Sequence, residues 1–433
     1  MKKKILIIYI LLSLILMFSS SLSFGTELSE LNIQSNSIIL IEEETGKIIY
    51  EKNAHEKKYP ASTTKIMTAI LVIENCDLND YATASEQAIL DIPIGGTIAN
   101  IQIGEKLSII DLLYGLMLPS GNDAANVLAE YISGSVEDFA KMMTAKANEI
   151  GCKNTNFINP HGLHEDEHYT TAYDLALIGQ YAMKLPLFRE IVSTQTYALP
   201  NTDKYTKEER IFRNTNSLLV EDYRDTFDNY YYKYATGIKT GYTSKARNTL
   251  VCSAQKDDIE YICVVLDAGT VNNISTRYTD SKILFDYAFS TYTKRTLLSK
   301  NNVLQQLEIQ DATDDTKFLD VLVESDIIAF VKSISTLNNF VPTVILDENL
   351  SAPIKTNDVI GTISYEIDGI TYNSKLVAGN DVNKFNINEV LLDMLKIIIK
   401  VVIIAFVVFI ILGFVVKSRK RKKKKNLIRQ RIR

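Results

Sequence analysis

Pro60-Ala61-Ser62-Thr63-Thr64-Lys65, running on into Ile66-Met67-Thr68-Ala69-Ile70, decides how this chain is read. Pro60-Ala61 leads into a helix whose apolar residues Ile66, Ala69, Ile70 and Ile73 recur at helical spacing. Ser62 and Lys65 are three residues apart, so on a helix they share one face, one turn along. A serine hydroxyl is a poor nucleophile at its own pKa and needs a base within hydrogen-bond reach. A helix start also offers free backbone N–H groups, which suit an oxyanion. Two more short stretches follow in order, Ser120-Gly121-Asn122 and Lys239-Thr240-Gly241. Taken singly, the three are ordinary: a helix cap, a turn after Pro119 and a strand end.

Working outward, residues 37–50 read as two strands joined by a turn at Glu44-Thr45-Gly46. Helices are expected over residues 109–118, 122–132, 136–150, 175–183 and 279–289. Residues 249–254 and 259–266 form a hairpin that turns at Asp257-Asp258. Strands at both ends with helices between them predict an α/β (α+β) fold with a mainly antiparallel sheet flanked by helices. Near Leu298 the pattern changes to short β-rich runs, and Asp368-Gly369 marks a hairpin. The expected division is a domain over 26–297 and a small all-β sandwich over 298–388, with residues 386–396 a short amphipathic connector.

The two ends of the chain read as membrane-directed. Lys2-Lys3-Lys4, an apolar run over residues 5–18 and small residues at Ser23 and Gly25 predict a signal peptide over 1–25. A retained N-terminal anchor competes with it, although the apolar run is shorter than the roughly 20 residues of a span. Residues 397–416 are apolar or Gly apart from Lys400, and eleven Lys and Arg follow over 417–433 with no acid. This predicts a membrane helix with a cytoplasmic basic tail, Lys400 snorkelling at the outer end.

The formal net charge of −5 hides an asymmetry. Of 47 Lys and Arg, three precede Thr26 and thirteen follow Leu395, which leaves 31 against all 52 acids, or −21, between. So acidic an exterior argues against nucleic acid and anionic lipid as partners. The four cysteines, Cys76, Cys152, Cys252 and Cys263, lack metal spacing. Cys252 and Cys263 would face one another across the hairpin, as a disulfide or as two buried thiols, the second reading being favoured. His161, His164 and His168 beside Glu165, Asp166 and Glu167 mimic a metal site, but read as a loop and a solvated acidic stretch; no metal is expected. Tyr230-Tyr231-Tyr232 reads as packing or groove wall.

S-x-x-K, S-x-N and K-T-G in this order are the signature of penicillin-recognising serine enzymes. Together with Asn159-Pro160-His161-Gly162-Leu163, Asn214-Thr215-Asn216, Gly237-Ile238, Ser351-Ala352-Pro353-Ile354 and Val359-Ile360-Gly361-Thr362-Ile363, they make the chain resemble the low-molecular-mass penicillin-binding proteins. These are serine-type D-alanyl-D-alanine carboxypeptidases of the S11 kind. The resemblance implies a penicillin-binding/β-lactamase-like transpeptidase fold. It implies no cofactor, peptidoglycan stem peptides as substrates, β-lactam antibiotics as acylating ligands, and a catalytic part on the cell-wall side of the membrane. By position it implies that Ser62 is the nucleophile, that Lys65 is a base kept neutral by burial and by Lys239, and that Ser120 relays a proton to the leaving D-alanine. Asn122 would hold the substrate amide. Lys239 and Thr240 would face the terminal carboxylate, helped by Arg277, while Gly241 allows close approach. The backbone N–H groups of Ser62 and Tyr242 would form the oxyanion hole.

Arg247 stands where the family usually has Gly, which bears on substrate access. A DD-endopeptidase or transpeptidase is the nearer alternative. A β-lactamase would need a deacylating Glu, with Glu165 and Glu167 in the right region, and a β-lactam sensor would need a larger cytoplasmic part.

Overall fold

Ser37-Ile38-Ile39-Leu40-Ile41-Glu42 is a near-continuous apolar run, the mark of a strand covered on both faces. In the computed structural model, which describes residues 31–93, 95–206, 209–221 and 230–431, that strand is buried along its whole length. The signal-peptide segment 1–25 lies outside the described residues. Five strands, β1 (Ser37–Glu42), β2 (Ile48–Lys52), β3 (Ala235–Thr243), β4 (Arg247–Lys256) and β5 (Ile259–Ala268), form one sheet in the order β2-β1-β5-β4-β3. Every pairing is antiparallel. Strand β3, which carries Lys239-Thr240-Gly241, is therefore an edge strand.

Period-two alternation sends the strand residues to two separate cores. Ile39, Ile41, Val251, Ile262 and Val264 join Met67, Leu112, Phe139 and Phe188. Ile38, Leu40, Leu250, Cys263 and Val265 join Tyr278, Leu284 and Phe285 on the opposite face. Helices α1 (Lys65–Asn75), α2 (Ile109–Met117), α3 (Asn122–Ser133), α4 (Val136–Ile150), α5 (Ala172–Met183) and α6 (Pro186–Ser193) contribute to the first core. Helix α7 (Thr276–Thr291) contributes to the second. Local chemistry sets their ends. Ser108, Ser135 and Thr171 accept the backbone N–H groups of Asp111, Asp138 and Asp174 as N-caps, and Gly134 and Gly151 close α3 and α4 at positive φ. The Thr171 cap starts α5 three residues before the expected Leu175. Helix α6, the short helix Glu86–Leu90 and the ladder Thr196–Leu199 with Arg210–Arg213 escape the sequence reading because each is too short to show a period.

The chain divides into two units. The first takes the chain up to Arg295 and also Phe330–Thr336; the second takes Thr296–Ala329 and the chain from Leu337 onward. Phe330–Thr336 thus departs from the expected boundary, because Phe330 stacks on Tyr292 at 5.1 Å and Ser333 N–H donates to Thr291 C=O at 2.8 Å. In the second unit β6 (Val303–Glu308), β7 (Phe318–Val323), β8 (Thr343–Leu346), β9 (Val359–Ile367) and β10 (Ile370–Ala378) form an antiparallel sheet in the order β6-β7-β10-β9-β8. The turn at Asp368-Gly369, with φ of 51° and 78°, joins β9 to β10. The expected connector, membrane segment and tail are one continuous helix, α8 (Ile387–Arg431). It holds no proline, and its Lys- and Arg-rich end is made of good helix formers.

Cys252 and Cys263 sit opposite one another in the β4–β5 register, buried, as free thiols. Desolvation, then the Cys252 thiol, holds the Cys263 pKa well above that of an ordinary thiol. All four cysteines should therefore alkylate in protein denatured without reductant, and reductant should leave the Tm in place. Mass spectrometry showing only two labels would contradict the free pair.

Candidate active site

The chain enters α1 through one turn of 3₁₀ helix, Ala61–Thr64, which leaves Ser62 half-buried and Lys65 wholly buried as the first α-helical residue. Among the described residues Lys65 Nζ has three hydrogen-bond partners: Asn122 Oδ1 at 2.7 Å, the His161 carbonyl at 2.8 Å and Ser62 Oγ at 3.1 Å. Two of these groups accept only. A neutral amine has two N–H bonds and one lone pair. With its hydrogens committed to Asn122 and His161, the lone pair is left facing the serine hydroxyl. Burial, and then the positive charge of Lys239, pushes the Lys65 pKa well below the ordinary lysine value, with Asp123 opposing. The arrangement is that of a hydroxyl nucleophile beside an amine base.

The acceptors are themselves fixed. Asn159 Nδ2 donates to the Leu163 carbonyl and its Oδ1 accepts from Gly162 N–H, closing the loop that presents His161 C=O. Thr68 Oγ1 donates to the Pro160 carbonyl, which ties that loop to α1. Gly162 lies so close that an added Cβ would meet the Ala61 carbonyl at 1.9 Å, and its φ is +85°. His168 bonds Thr64 Oγ1 at 2.8 Å and accepts from Ile158 N–H. Burial lowers its pKa to about 3. His161 is likewise held well below the ordinary histidine value, by burial and then Lys65. These two histidines are loop fasteners, while His164 meets the edge of Tyr59.

Ser120 and Asn122 bracket the start of α3. Ser120 adopts the left-handed region, φ 67°, uncommon for a residue with a Cβ. Its Oγ is buried and without a hydrogen-bond partner among the described residues. Asp123, which the sequence reading passed over, is the buried strut of this corner. Its carboxylate accepts from the backbone N–H groups of Ala99, Ile101 and Ala124, yet desolvation still raises its pKa. An acid in the first turn of a helix is an ordinary capping signal, so nothing in the sequence set it apart.

The edge strand β3 supplies the remaining wall. Gly241 approaches the nucleophile so closely that a Cβ there would sit 2.8 Å from Ser62 N and 2.3 Å from Thr249 Oγ1. Lys239 is buried, and burial, then Arg277, lowers its pKa to about 7. Thr240 Oγ1 meets Thr215 Oγ1 at 2.6 Å, and Asn216 Nδ2 donates to Gly237 C=O, so Asn214-Thr215-Asn216 anchors the strand's start. The side chain of Tyr242 is exposed. Arg277 donates to the Gly241 and Thr249 carbonyls and to Tyr278 OH, which holds β3 against β4 from behind. Arg247 has φ 58°, which explains a glycine preference there, and pairs with Asp267 at 2.9 Å. The tyrosine run packs: Tyr232 stacks on Phe285 and Tyr230 lies on Tyr278. Among the described residues no group of three or more His, Cys, Asp and Glu could hold a metal ion.

Comparison with known proteins identifies the family. The profile of the S11 peptidase family, D-alanyl-D-alanine carboxypeptidase, matches residues 25–270, and that of the penicillin-binding protein 5 C-terminal domain matches residues 292–384. D-alanyl-D-alanine carboxypeptidase DacF of Bacillus subtilis is 34% identical over 83% of this chain and 89% of its own length. DacA of Escherichia coli is 28% identical over 84% and 87%. Penicillin-binding protein 5 of Haemophilus influenzae superposes with a TM-score of 0.61 at 28% identity, covering 82% of this chain and 99% of that one. The Streptomyces K15 DD-transpeptidase superposes with a TM-score of 0.53 at 30% identity, over 60% and 98%. With more than half its length matched by the family profile, the chain belongs to the S11 family of D-alanyl-D-alanine carboxypeptidases.

Proposed function

We propose that this chain removes the terminal D-alanine from peptidoglycan stem pentapeptides through a serine acyl-enzyme and is acylated by penicillins at the same serine. The observation that carries this is the buried Lys65 amine, its two hydrogens taken up by fixed acceptors and its third direction facing Ser62 Oγ. In the proposed reaction Ser62 gives its proton to Lys65 and attacks the carbonyl of the penultimate D-alanine. The N–H groups of Ser62 and Tyr242 take the oxyanion. Ser120, with its unengaged buried hydroxyl, passes a proton to the departing amine. Asn122 steadies both Lys65 and the substrate amide. Lys239 and Thr240 bind the terminal carboxylate, and Arg277 supports them through the carbonyls of β3 and β4. Water then releases the tetrapeptide. A second reading, acyl transfer to an amine or cross-linked peptide, is favoured by the likeness to a DD-transpeptidase. Glu165 and Glu167 are exposed, which speaks against a deacylating role for either.

The proposal extends to the chain's organisation. Residues 26–297 act as the catalytic domain and 298–388 as a spacer that takes no part in bond cleavage. Residues 1–25 serve as an export signal. The apolar residues 397–416 span about 30 Å as a helix, enough for a bilayer core, and the eleven basic residues beyond them hold that end in the cytoplasm. The catalytic part would then face the cell wall.

Ser62→Ala should abolish covalent penicillin labelling in a protein that still folds by circular dichroism; residual labelling would move the nucleophile elsewhere. Gly162→Ala should cost roughly 2–5 kcal/mol of stability, because a Cβ at positive φ meets the Ala61 carbonyl; an unchanged Tm would refute the tight loop. The pH dependence separates the two lysines. Below its lowered pKa, Lys65 is protonated and the base is lost, so kcat/KM should fall on the acid side for every substrate. Above about pH 7 Lys239 loses its charge, so kcat/KM should fall there for peptides with a free C-terminal carboxylate. An amidated analogue should lack that alkaline limb; finding it there would deny Lys239 its carboxylate. Chain ending before Ile387 should be secreted, soluble and active. Recovery of that shortened protein in the membrane fraction would place the anchor elsewhere.

A further inference from the structure

Helix α8 leaves the second unit almost without slack. Thr313 N–H donates to the Asn383 carbonyl at 2.9 Å, Ala312 bridges Lys384, and Phe385 N–H donates to the Asp311 carbonyl at 2.7 Å. Asn386 alone then separates Phe385 from Ile387, the first residue of α8. It serves as the cap, its side chain accepting from Asn388 N–H at 3.1 Å and its carbonyl from the N–H groups of Glu389 and Val390.

The outer part of α8 is one-sided. Glu389, Asp393, Lys396 and Lys400 recur at steps of four, three and four, which sets them on one face. Ile387, Val390, Leu391, Met394 and Leu395 make the rest apolar, and all are exposed. The apolar side is therefore continuous over residues 387–416, about 45 Å as a helix, against a bilayer core of about 30 Å. A helix that overruns the core tilts or lays its outer turns in the headgroup layer. A single charged stripe suits both, since it faces the headgroups while the apolar side sinks. With one residue of slack, either movement brings the adjoining end of the β domain down with it.

That end carries two exposed rings, Phe318 at 52% and Phe385 at 48%. Phe318 opens β7, and Asn380 Nδ2 donates to its carbonyl at 2.9 Å, while Asn383 N–H donates to Thr316 Oγ1 at 2.9 Å. Two distant stretches of chain thus place their rings in one corner, at the point where α8 departs. The charges around them do not favour anionic lipid. Asp311, Asp314, Asp315 and Lys384 are exposed, and Lys317 pairs with Glu308 at 3.0 Å while its amine stands over the Phe318 ring at 5.3 Å.

We propose that this corner of the β domain docks on the outer face of the lipid bilayer, with Phe318 and Phe385 in the headgroup layer, held by apolar burial and not by anionic lipid. This rests on the reading of α8 as a membrane span. The β domain then stands on the membrane as a foot, oriented by its own rings as well as by the helix.

The chain has no tryptophan, so a single substitution supplies a lone fluorescent reporter. Phe318→Trp, Phe385→Trp and Thr371→Trp are each made in the full chain. The proteins are reconstituted into phosphatidylcholine vesicles whose acyl chains carry bromine, a quencher, at shallow or at deep carbons. Thr371 is exposed near the start of β10, about 23 Å from Ala378 by strand rise. Circular dichroism checks that each variant folds. Shallow bromines should remove most of the Phe318→Trp and Phe385→Trp emission and deep bromines less, while Thr371→Trp stays bright. Added phosphatidylglycerol should not raise the quenching. Phe318 is the deciding position, because Phe385 adjoins the helix. Undiminished emission from Phe318→Trp in a chain that floats with the vesicles would overturn the docked corner and leave the α8 span standing. Equal quenching at all three positions would overturn it too, because the domain would then adsorb without orientation. Quenching that rises with phosphatidylglycerol would replace apolar burial by charge as the cause and overturn the proposal as stated. If the chain does not float with the vesicles, the span reading falls and the docking with it.

Discussion

A lysine amine with no water around it must find every partner it has within the protein, and this requirement organises the first unit. Lys65 is buried and must satisfy its hydrogens on fixed acceptors. One acceptor comes from the start of α3 and the other from a loop 96 residues away in sequence from Lys65. Both have to arrive within hydrogen-bond distance. The Asp123 strut, the Asn159 clamp, the tight contact at Gly162 and the tie from Thr68 to Pro160 all hold those two acceptors in place. Helices α1 and α3 pack in one core with Ile66, Met67, Ala124 and Leu128 wholly buried, so the site inherits the stiffness of that core.

The same constraint ties chemistry to charge. Lys65 and Lys239 are both buried, and the positive charge of Lys239 makes protonation of Lys65 less favourable. The nearby Asp123 opposes part of that effect at Lys65, but its carboxylate is occupied by backbone N–H groups and does not pair directly with the amine. A direct ion pair would have fixed the proton on Lys65. Holding the acid one shell back, on the backbone, leaves the amine free to act as a base in the proposed reaction. The edge position of β3 completes the arrangement, since its outer side is unpaired within the sheet and Gly241 brings that side against the nucleophile.

The two units use buried area differently. In the first, strands are covered on both faces, and the sequence shows it as runs such as Ser37–Glu42. In the second, strands such as Phe318–Val323 alternate between buried and partly exposed residues, as expected of a sheet with one covered face. Phe330–Thr336 crosses the expected boundary because aromatic packing at Tyr292 and Tyr261 outweighs chain order.

The sequence by itself determined what depends on short-range spacing. Ser62 and Lys65 one helical turn apart, the helices with clear apolar periods, the β4–β5 hairpin that sets Cys252 opposite Cys263, and the long apolar stretch of α8 are all consequences of local geometry. Family resemblance then grouped Ser120, Asn122, Lys239, Thr240 and Gly241 with Ser62, although nothing in their spacing brings them together. Tertiary structure alone decided the rest. It made the His161 carbonyl an acceptor for Lys65 and left its ring to the loop, and it set Arg277 behind β3. It turned Asp123 from a helix cap into a strut, and it gave Arg247 a left-handed backbone with an ion pair. Each of these involves contacts between segments tens of residues apart, from 20 for Arg247 and Asp267 to 96 for Lys65 and His161. A single sequence carries no local signal for such contacts, because their energy appears only when the chain has closed around them.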